Sequence, residues 1–238
     1  MNALRGLLEK TLQLRSFSIR AAEQDFDTED DFVGNDLVAF LLADLSKLPQ
    51  LRSLDLRLSQ FPVQPPQHLA DNFALESLTL LPNPSVFYGA EERNPLDFIL
   101  PLLSSTRNTL VDLKVAFDLS DEHPPPTHNQ PIYFPRLRKL KLDPSDFADS
   151  MGTFILPWIS ADTPVESIAV GAPRGPDFDK VTAFIRAHSV GTLKIVDARQ
   201  NLWIKVNDEE KTAWAALEDL CRSKEIELRE IHPVTDEV

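Results

Sequence analysis

The side chains best suited to chemistry in this chain are one cysteine, five histidines and a large surplus of carboxylates. Cys221 is the lone thiol, so neither an intramolecular disulfide nor a thiolate metal cluster is available. It shares one face of an amphipathic stretch with Trp214 and Leu217, the setting of a buried, inert thiol rather than of a nucleophile. His123 and His128 lie in the segment from Asp121 to Phe134, beside Asp121 and Glu122 and among several prolines. Two histidines alone do not hold a metal, and the segment reads as a Pro-rich loop insertion. Asp25, Asp27, Glu29, Asp30 and Asp31 superficially resemble a calcium loop. Such a loop needs Gly at its sixth position and Glu at its twelfth; Asp30 and Asp36 stand there, so a solvated acidic loop is expected. Gly171 and Gly175 are not followed by the Lys-Ser/Thr of a phosphate-cradling loop. Gly-x-Ser-x-Gly, His-Glu-x-x-His and Cys-x-x-Cys are all missing. The expectation is therefore no catalytic residue, no cofactor, no metal and no enzymatic activity. An unrecognised hydrolase stays as a distant alternative, because a triad is assembled in space and not in sequence.

Composition narrows the remaining classes. The chain has 238 residues, 42% of them hydrophobic and 26% charged, which suits one larger-than-average folded domain or one repeat array. Its net charge of −13 repels nucleic acid and anionic membrane, so neither is expected as a partner. No apolar run approaches the roughly 20 residues that span a bilayer. The first 20 residues have some presequence character, but Glu9 and their continuity with the repeat pattern argue against it. With a single cysteine, the expected location is cytoplasmic or nuclear. Seven glycines against 19 prolines suit a chain that turns often between short elements.

A repeat organises these elements. The pattern apolar-x-x-apolar-x-apolar reads Leu14-Phe17-Ile19, Leu51-Leu54-Leu56, Leu75-Leu78-Leu80, Leu110-Leu113-Val115, Leu137-Leu140-Leu142, Val165-Ile168-Val170 and Val190-Leu193-Ile195. A degenerate eighth copy sits at Ile226-Leu228. The intervals are 37, 24, 35, 27, 28 and 25 residues. Apolar residues at the fourth and sixth positions face one side of a short strand. The stretch between one strand and the next is long enough for a helix and two loops. One such unit cannot bury its own apolar face, whereas stacked units share a continuous core.

Helical patterns fill the gaps. Val33, Leu37, Phe40, Leu41, Leu45 and Leu48 form one apolar stripe; Phe178, Val181, Ile185 and His188 form another. Asn94-Pro95 reads as a helix start, and Asn207 with Glu210 as a capping box. His188 closes its stripe as a packing or C-terminal capping residue. Phe98-Ile-Leu-Pro101 and Phe154-Ile-Leu-Pro157 precede their strands by 12 and 11 residues, and the internal prolines predict short, irregular helices.

The segments Leu51-Arg-Ser-Leu-Asp-Leu56 and Leu137-Arg-Lys-Leu-Lys-Leu142 resemble leucine-rich repeats. The uneven intervals and Phe-rich helices are similar to the ribonuclease-inhibitor-like repeats of fungal F-box proteins. The resemblance runs from about Leu14 to Leu228. It departs in the Asn that often succeeds the strand, kept at Asn83 but replaced by Ser59, Asp118 or Ser145 elsewhere, and in the lack of a recognisable F-box. It implies an α/β leucine-rich-repeat solenoid over residues 1–238, with the 121–134 insertion and a 230–238 tail. A curved parallel sheet of about seven or eight short strands would line the concave face, with irregular helices outside. It further implies protein–protein recognition on that face, as the substrate-binding region of an F-box-type ubiquitin-ligase receptor, with a cullin-ligase adaptor as partner only if an F-box lies outside this chain. A stand-alone interaction protein unrelated to ubiquitination is the alternative.

The third, fifth and seventh positions of each repeat should project away from the core. Reading the fifth and seventh gives five cations, Arg20, Arg57, Lys114, Lys141 and Lys194, against Asp55 and Asp143. A basic stripe on an acidic protein suits an acidic or phosphorylated protein partner. Reversing Arg57, Lys114 and Lys141 together to Glu is expected to abolish partner binding while the circular dichroism of the folded chain is unchanged.

Overall fold

Three apolar positions per repeat make each strand short, and each strand is buried on one face only because its neighbours repeat the same pattern. The computed structural model describes residues 13–20, 38, 41–58, 69, 73–82, 96–116, 130–142, 152–171, 175–199 and 208–231. Asn83, Asn94-Pro95, Asn207, Asp143, the acidic run from Asp25 to Asp31 and the His123/His128 pair lie outside them. The described chain is α/β, and its strands pair in parallel within each of two compact units. One unit holds the described residues up to Val111 and the other those from Asp112 onward.

In the first unit, β1 (Ser16–Arg20), β2 (Ser53–Leu58) and β3 (Ser77–Pro82) pair in sequence order. The register sets Phe17 beside Leu54 and Leu54 beside Leu78. Leu51, Leu54, Leu56, Leu75, Leu78 and Leu80 are sealed from solvent, as their repeat positions require. Leu42 and Leu45 of a helical turn at 41–45 are buried, as is Val38, while Leu41 is only half-buried. The expected stripe placed Leu41 inward; adjacent leucines at 41 and 42 fit two helical phases, and packing selects the one through Leu42.

Helix α1 (Leu96–Thr106) carries Pro101 in its interior and continues beyond it. Proline removes one helical hydrogen bond, a cost of roughly 3 kcal/mol in an exposed helix. Here Phe98, Ile99, Leu100, Leu102 and Leu103 are buried on both sides of it and hold the helix through the break. The matching sequence at Gly152–Trp158 forms a 3-10 helix instead. The same four residues thus yield two helix types, and only the second is the irregular element the prolines predict.

In the second unit, β4 (Asp112–Val115), β5 (Lys139–Leu142), β6 (Ser167–Val170), β7 (Ile195–Arg199) and β8 (Glu227–Ile231) pair in sequence order. Helices α2 (Gly175–Ala187) and α3 (Asp208–Ser223) pack against each other, with Phe178 meeting the Trp214 ring edge-on at 5.6 Å. The α2 stripe is buried as read, at Phe178, Val181, Ile185 and His188, and so are Leu217 and Cys221 of α3.

One repeat is corrected. Ile168 pairs with Val196, and Val170 with Ala198, so the seventh copy runs Leu193-Val196-Ala198 and not Val190-Leu193-Ile195. Val190 is 43% exposed, whereas Val196 and Ala198 are fully buried. Both readings satisfy the apolar spacing, and strand pairing decides between them. Asp112, Lys139, Ser167 and Ile195 then succeed one another in register, 27, 28 and 28 residues apart, a more regular array than the bare pattern suggests. Because a shift by an odd number of residues inverts the faces of a strand, two substitutions test this register. Val196→Lys should lower unfolding free energy by roughly 4 kcal/mol or more through an unpaired buried charge. Ile195→Lys should cost less than about 1 kcal/mol. Urea midpoints measure both, and the reverse ranking would restore the Val190 register.

Candidate functional site

With the inward positions sealed, the chemistry open to solvent lies on the other face of the strands. In the second unit the third-position row reads Asp112, Lys139, Ser167, Ile195 and Glu227, and the fifth-position row reads Lys114, Lys141, Ala169, Asp197 and Arg229. All ten are half-buried or exposed. Within β4, β5 and β6 open and buried residues alternate without exception. The first unit offers Ser53, Asp55 and Arg57 on β2 and Ser77 and Thr79 on β3, all half-buried. Seventh positions depart from expectation: Leu81, Ala116 and Gly171 are buried, which confines the open surface largely to the third and fifth positions.

The structure places the five cations read from the sequence in different settings. Arg20 closes β1 with its backbone beside that of Arg57; its side chain lies outside the described structure. Arg57 turns back on its own strand and pairs with Asp55 at 3.3 Å, largely cancelling both charges. Lys114 and Lys141 stand directly opposite each other across β4 and β5. Lys194 is not in their row. The corrected register gives it the second position, where its amide donates to Glu166 O at 2.9 Å and its side chain is exposed. Asp197 holds the fifth position that Lys194 was expected to fill.

Two further outward cations escape the sequence pattern. Counting only fifth and seventh positions passes over Lys139, though its third position is as open as the fifth. Arg229 belongs to the degenerate eighth copy, where it hydrogen-bonds both carboxylate oxygens of Glu227 at 2.9 Å. That bidentate contact holds the Glu227 carboxyl below its ordinary range.

Cys221 and His188, whose chemistry would suit catalysis, are both buried. Burial pushes the Cys221 thiol up to about 11, leaving it protonated and unreactive. His188 is buried at the end of α2, its Nε2 3.2 Å from Thr192 Oγ1. Thr192 donates its only hydroxyl proton to Val165 O at 2.9 Å, so the imidazole must be the donor in the His188–Thr192 bond. Nδ1 is then the unprotonated nitrogen, buried without a hydrogen-bond partner. Lys224 closes the cluster by donating to His188 O at 3.3 Å. Desolvation first and the Lys224 charge second lower the His188 pKa, partly offset by the Ala161 carbonyl and Asp162. Among the described residues, no group of His, Cys, Asp and Glu is arranged to hold a metal ion, and no helix is long and apolar enough to cross a membrane.

Comparison with protein-family models, with curated proteins and with solved structures found no match.

The His188 cluster gives stability a pH dependence of definite sign. Above the ordinary imidazole value of 6.5 the ring is neutral in both folded and unfolded chains. As pH falls below that value the unfolded chain takes up a proton that the folded chain resists, so stability declines until the lowered folded value is passed. Urea unfolding between about pH 7 and pH 5 should therefore show a steeper loss in the native chain than in His188→Leu. Equal slopes would mean that the ring titrates normally in the fold.

Proposed function

We propose that this chain is a leucine-rich-repeat recognition scaffold that binds a protein partner through the open face of its strands. The observation that carries this reading is the contrast between the two faces. Every fourth- and sixth-position side chain from β4 to β7 is buried, while the third and fifth positions of the same strands, Ile195 apart, present charged, small and polar groups to solvent. Rigid parallel strands display such groups at fixed spacing, the property that suits a repeat array to recognition. The resemblance to F-box repeats extends the proposal to substrate binding for a ubiquitin ligase. A stand-alone scaffold uses the same face without an adaptor.

Substitution on each face tests the reading. Ala169 lies half-buried in the centre of the fifth-position row, whereas Ala183 is exposed on α2. Tagged chains carrying Ala169→Trp or Ala183→Trp are compared with the unaltered chain in affinity capture from source cells. Ala169→Trp should strongly deplete the partner that the unaltered chain retains, and Ala183→Trp should leave it bound. The opposite pattern would move recognition to the helices and sink the proposal. A cullin-ligase adaptor among the retained proteins would favour the receptor form.

A further inference from the structure

On β2 and β8, each outward cation in the described structure is neutralised by a carboxylate two residues away on its own strand: Arg57 by Asp55 and Arg229 by Glu227. Strands β4 and β5 break that arrangement. They carry three outward lysines, Lys114, Lys139 and Lys141, and a single carboxylate, Asp112. Asp112 reaches only Lys141, at a loose 3.9 Å. Among the described residues, Lys114 and Lys139 have no ion pair.

The three lysines are close together by construction. Lys114 and Lys141 are direct cross-strand neighbours, so their backbones are separated by one strand spacing of about 4.8 Å. Lys139 is two residues from Lys141 along β5, roughly 6.6 Å at the rise of a parallel strand. Like charges directly opposed across a ladder are destabilising, and this trio sits in a chain whose net charge is −13. Keeping a sheet face soluble does not require that arrangement, because the carboxylate-paired arginines of β2 and β8 do so without it. A multivalent anion resolves it. Three ammonium groups on flexible stems can converge on the oxygens of one phosphoryl group, which carries nearly two charges near neutrality.

The neighbouring strand shapes what carries the phosphate. Ser167 and Ala169 of β6 lie in register with Lys139 and Lys141, so the next row beside the lysines is low. Strand β7 sets Ile195 and Asp197 beyond it. The interval from β5 to β7 is two strand spacings, roughly 10 Å, wide enough for an extended peptide over small residues. A nucleic acid or a membrane would bring an extended anionic surface against the acidic body and be repelled. A single phosphate on a peptide meets only the local patch.

We propose that Lys114, Lys139 and Lys141 form a binding site for a phosphoserine or phosphothreonine on an extended segment of the protein partner, with Asp112 as a competing internal anion. This rests on the reading of the open strand face as the recognition surface, and it names the chemistry of the ligand there.

The test uses the full chain and a fluorescently labelled degenerate peptide pool with a fixed central phosphoserine, against the same pool with serine, read by anisotropy. The phosphorylated pool should bind at least about tenfold more tightly. Replacing all three lysines by Gln should erase that preference in a chain whose circular dichroism is unchanged. Asp112→Asn should strengthen phosphopeptide binding by roughly two- to fivefold by removing the competing carboxylate, a gain that a merely structural role would not produce. The site is overturned by failure of the phosphorylated pool to bind, by an undiminished preference in the triple variant, or by weaker binding in Asp112→Asn. Lysine-dependent binding to phosphatidylserine vesicles with no preference among the peptides would also overturn it, in favour of a lipid surface. If Ala169→Trp removes the cellular partner while no phosphate preference exists, the phosphate site fails and the strand-face reading stands. If the lysine-dependent preference exists while Ala169→Trp keeps the partner, the phosphate site stands and the broader reading fails.

Discussion

The structure depends on one backbone device repeated between neighbouring strands. A single carbonyl at the second position of a repeat accepts two consecutive amides of the next. Arg15 O takes Arg52 N and Ser53 N; Arg52 O takes Glu76 N and Ser77 N; Arg138 O takes Glu166 N and Ser167 N; Glu166 O takes Lys194 N and Ile195 N. The device locks the entry of each strand against its predecessor. With the entry fixed, the alternation along the strand has only one phase, and the fourth and sixth side chains go inward together. The character of the open face is set by that phase.

Side chains reinforce the same joint in recurring ways. In the sequences Leu48-Pro-Gln-Leu-Arg52 and Phe134-Pro-Arg-Leu-Arg138, the arginine folds back onto the turn that precedes it. Arg52 donates to Pro49 O and Leu51 O, and Arg138 to Pro135 O and Leu137 O. Each guanidinium also faces a glutamate at the second position of the next repeat, Glu76 at 3.6 Å and Glu166 at 3.3 Å. Threonines play a parallel part: Thr109 donates to Leu75 O at 2.7 Å and Thr192 to Val165 O at 2.9 Å. The exposed ion pairs are each worth at most about 1 kcal/mol. Their importance is in register, since each ties a second-position or turn residue to its counterpart one repeat away.

The same arrangement separates the side chains that hold the fold from those that face solvent. Aliphatic residues hold the inward face, so the outward third and fifth positions are free to vary without cost to the core. Where they pair internally, as Asp55 with Arg57 or Glu227 with Arg229, the surface is electrostatically quiet. On β4 and β5 the balance is broken in favour of lysine, and that imbalance distinguishes one part of the open face from the rest. The buried His188–Thr192 contact lies on the other side of this division, in the joint between repeats.

Much of the fold was legible from the chain alone, because its period is written in large aliphatic residues. Leu51-Leu54-Leu56 and Leu137-Leu140-Leu142 announce parallel strands wherever they occur, and all six residues are buried. Composition and motif likewise showed that the lone Cys221 had no second thiol for a disulfide or a thiolate cluster. Tertiary structure decided phase and pairing. Val190-Leu193-Ile195 and Leu193-Val196-Ala198 share one apolar spacing, and only the hydrogen bonds to β6 choose the second, moving Lys194 out of the charged row and Asp197 into it. The Thr-Leu pair at Thr109-Leu110 and Thr192-Leu193 was a local clue to that phase, meaningful only once the threonine is seen bolting one repeat to the last. Charge behaved the same way. Residue types tell which side chains are cationic, but whether a cation is spent on a neighbour, like Arg57, or left facing other cations, like Lys114, depends on distances of a few ångströms that only strand pairing sets.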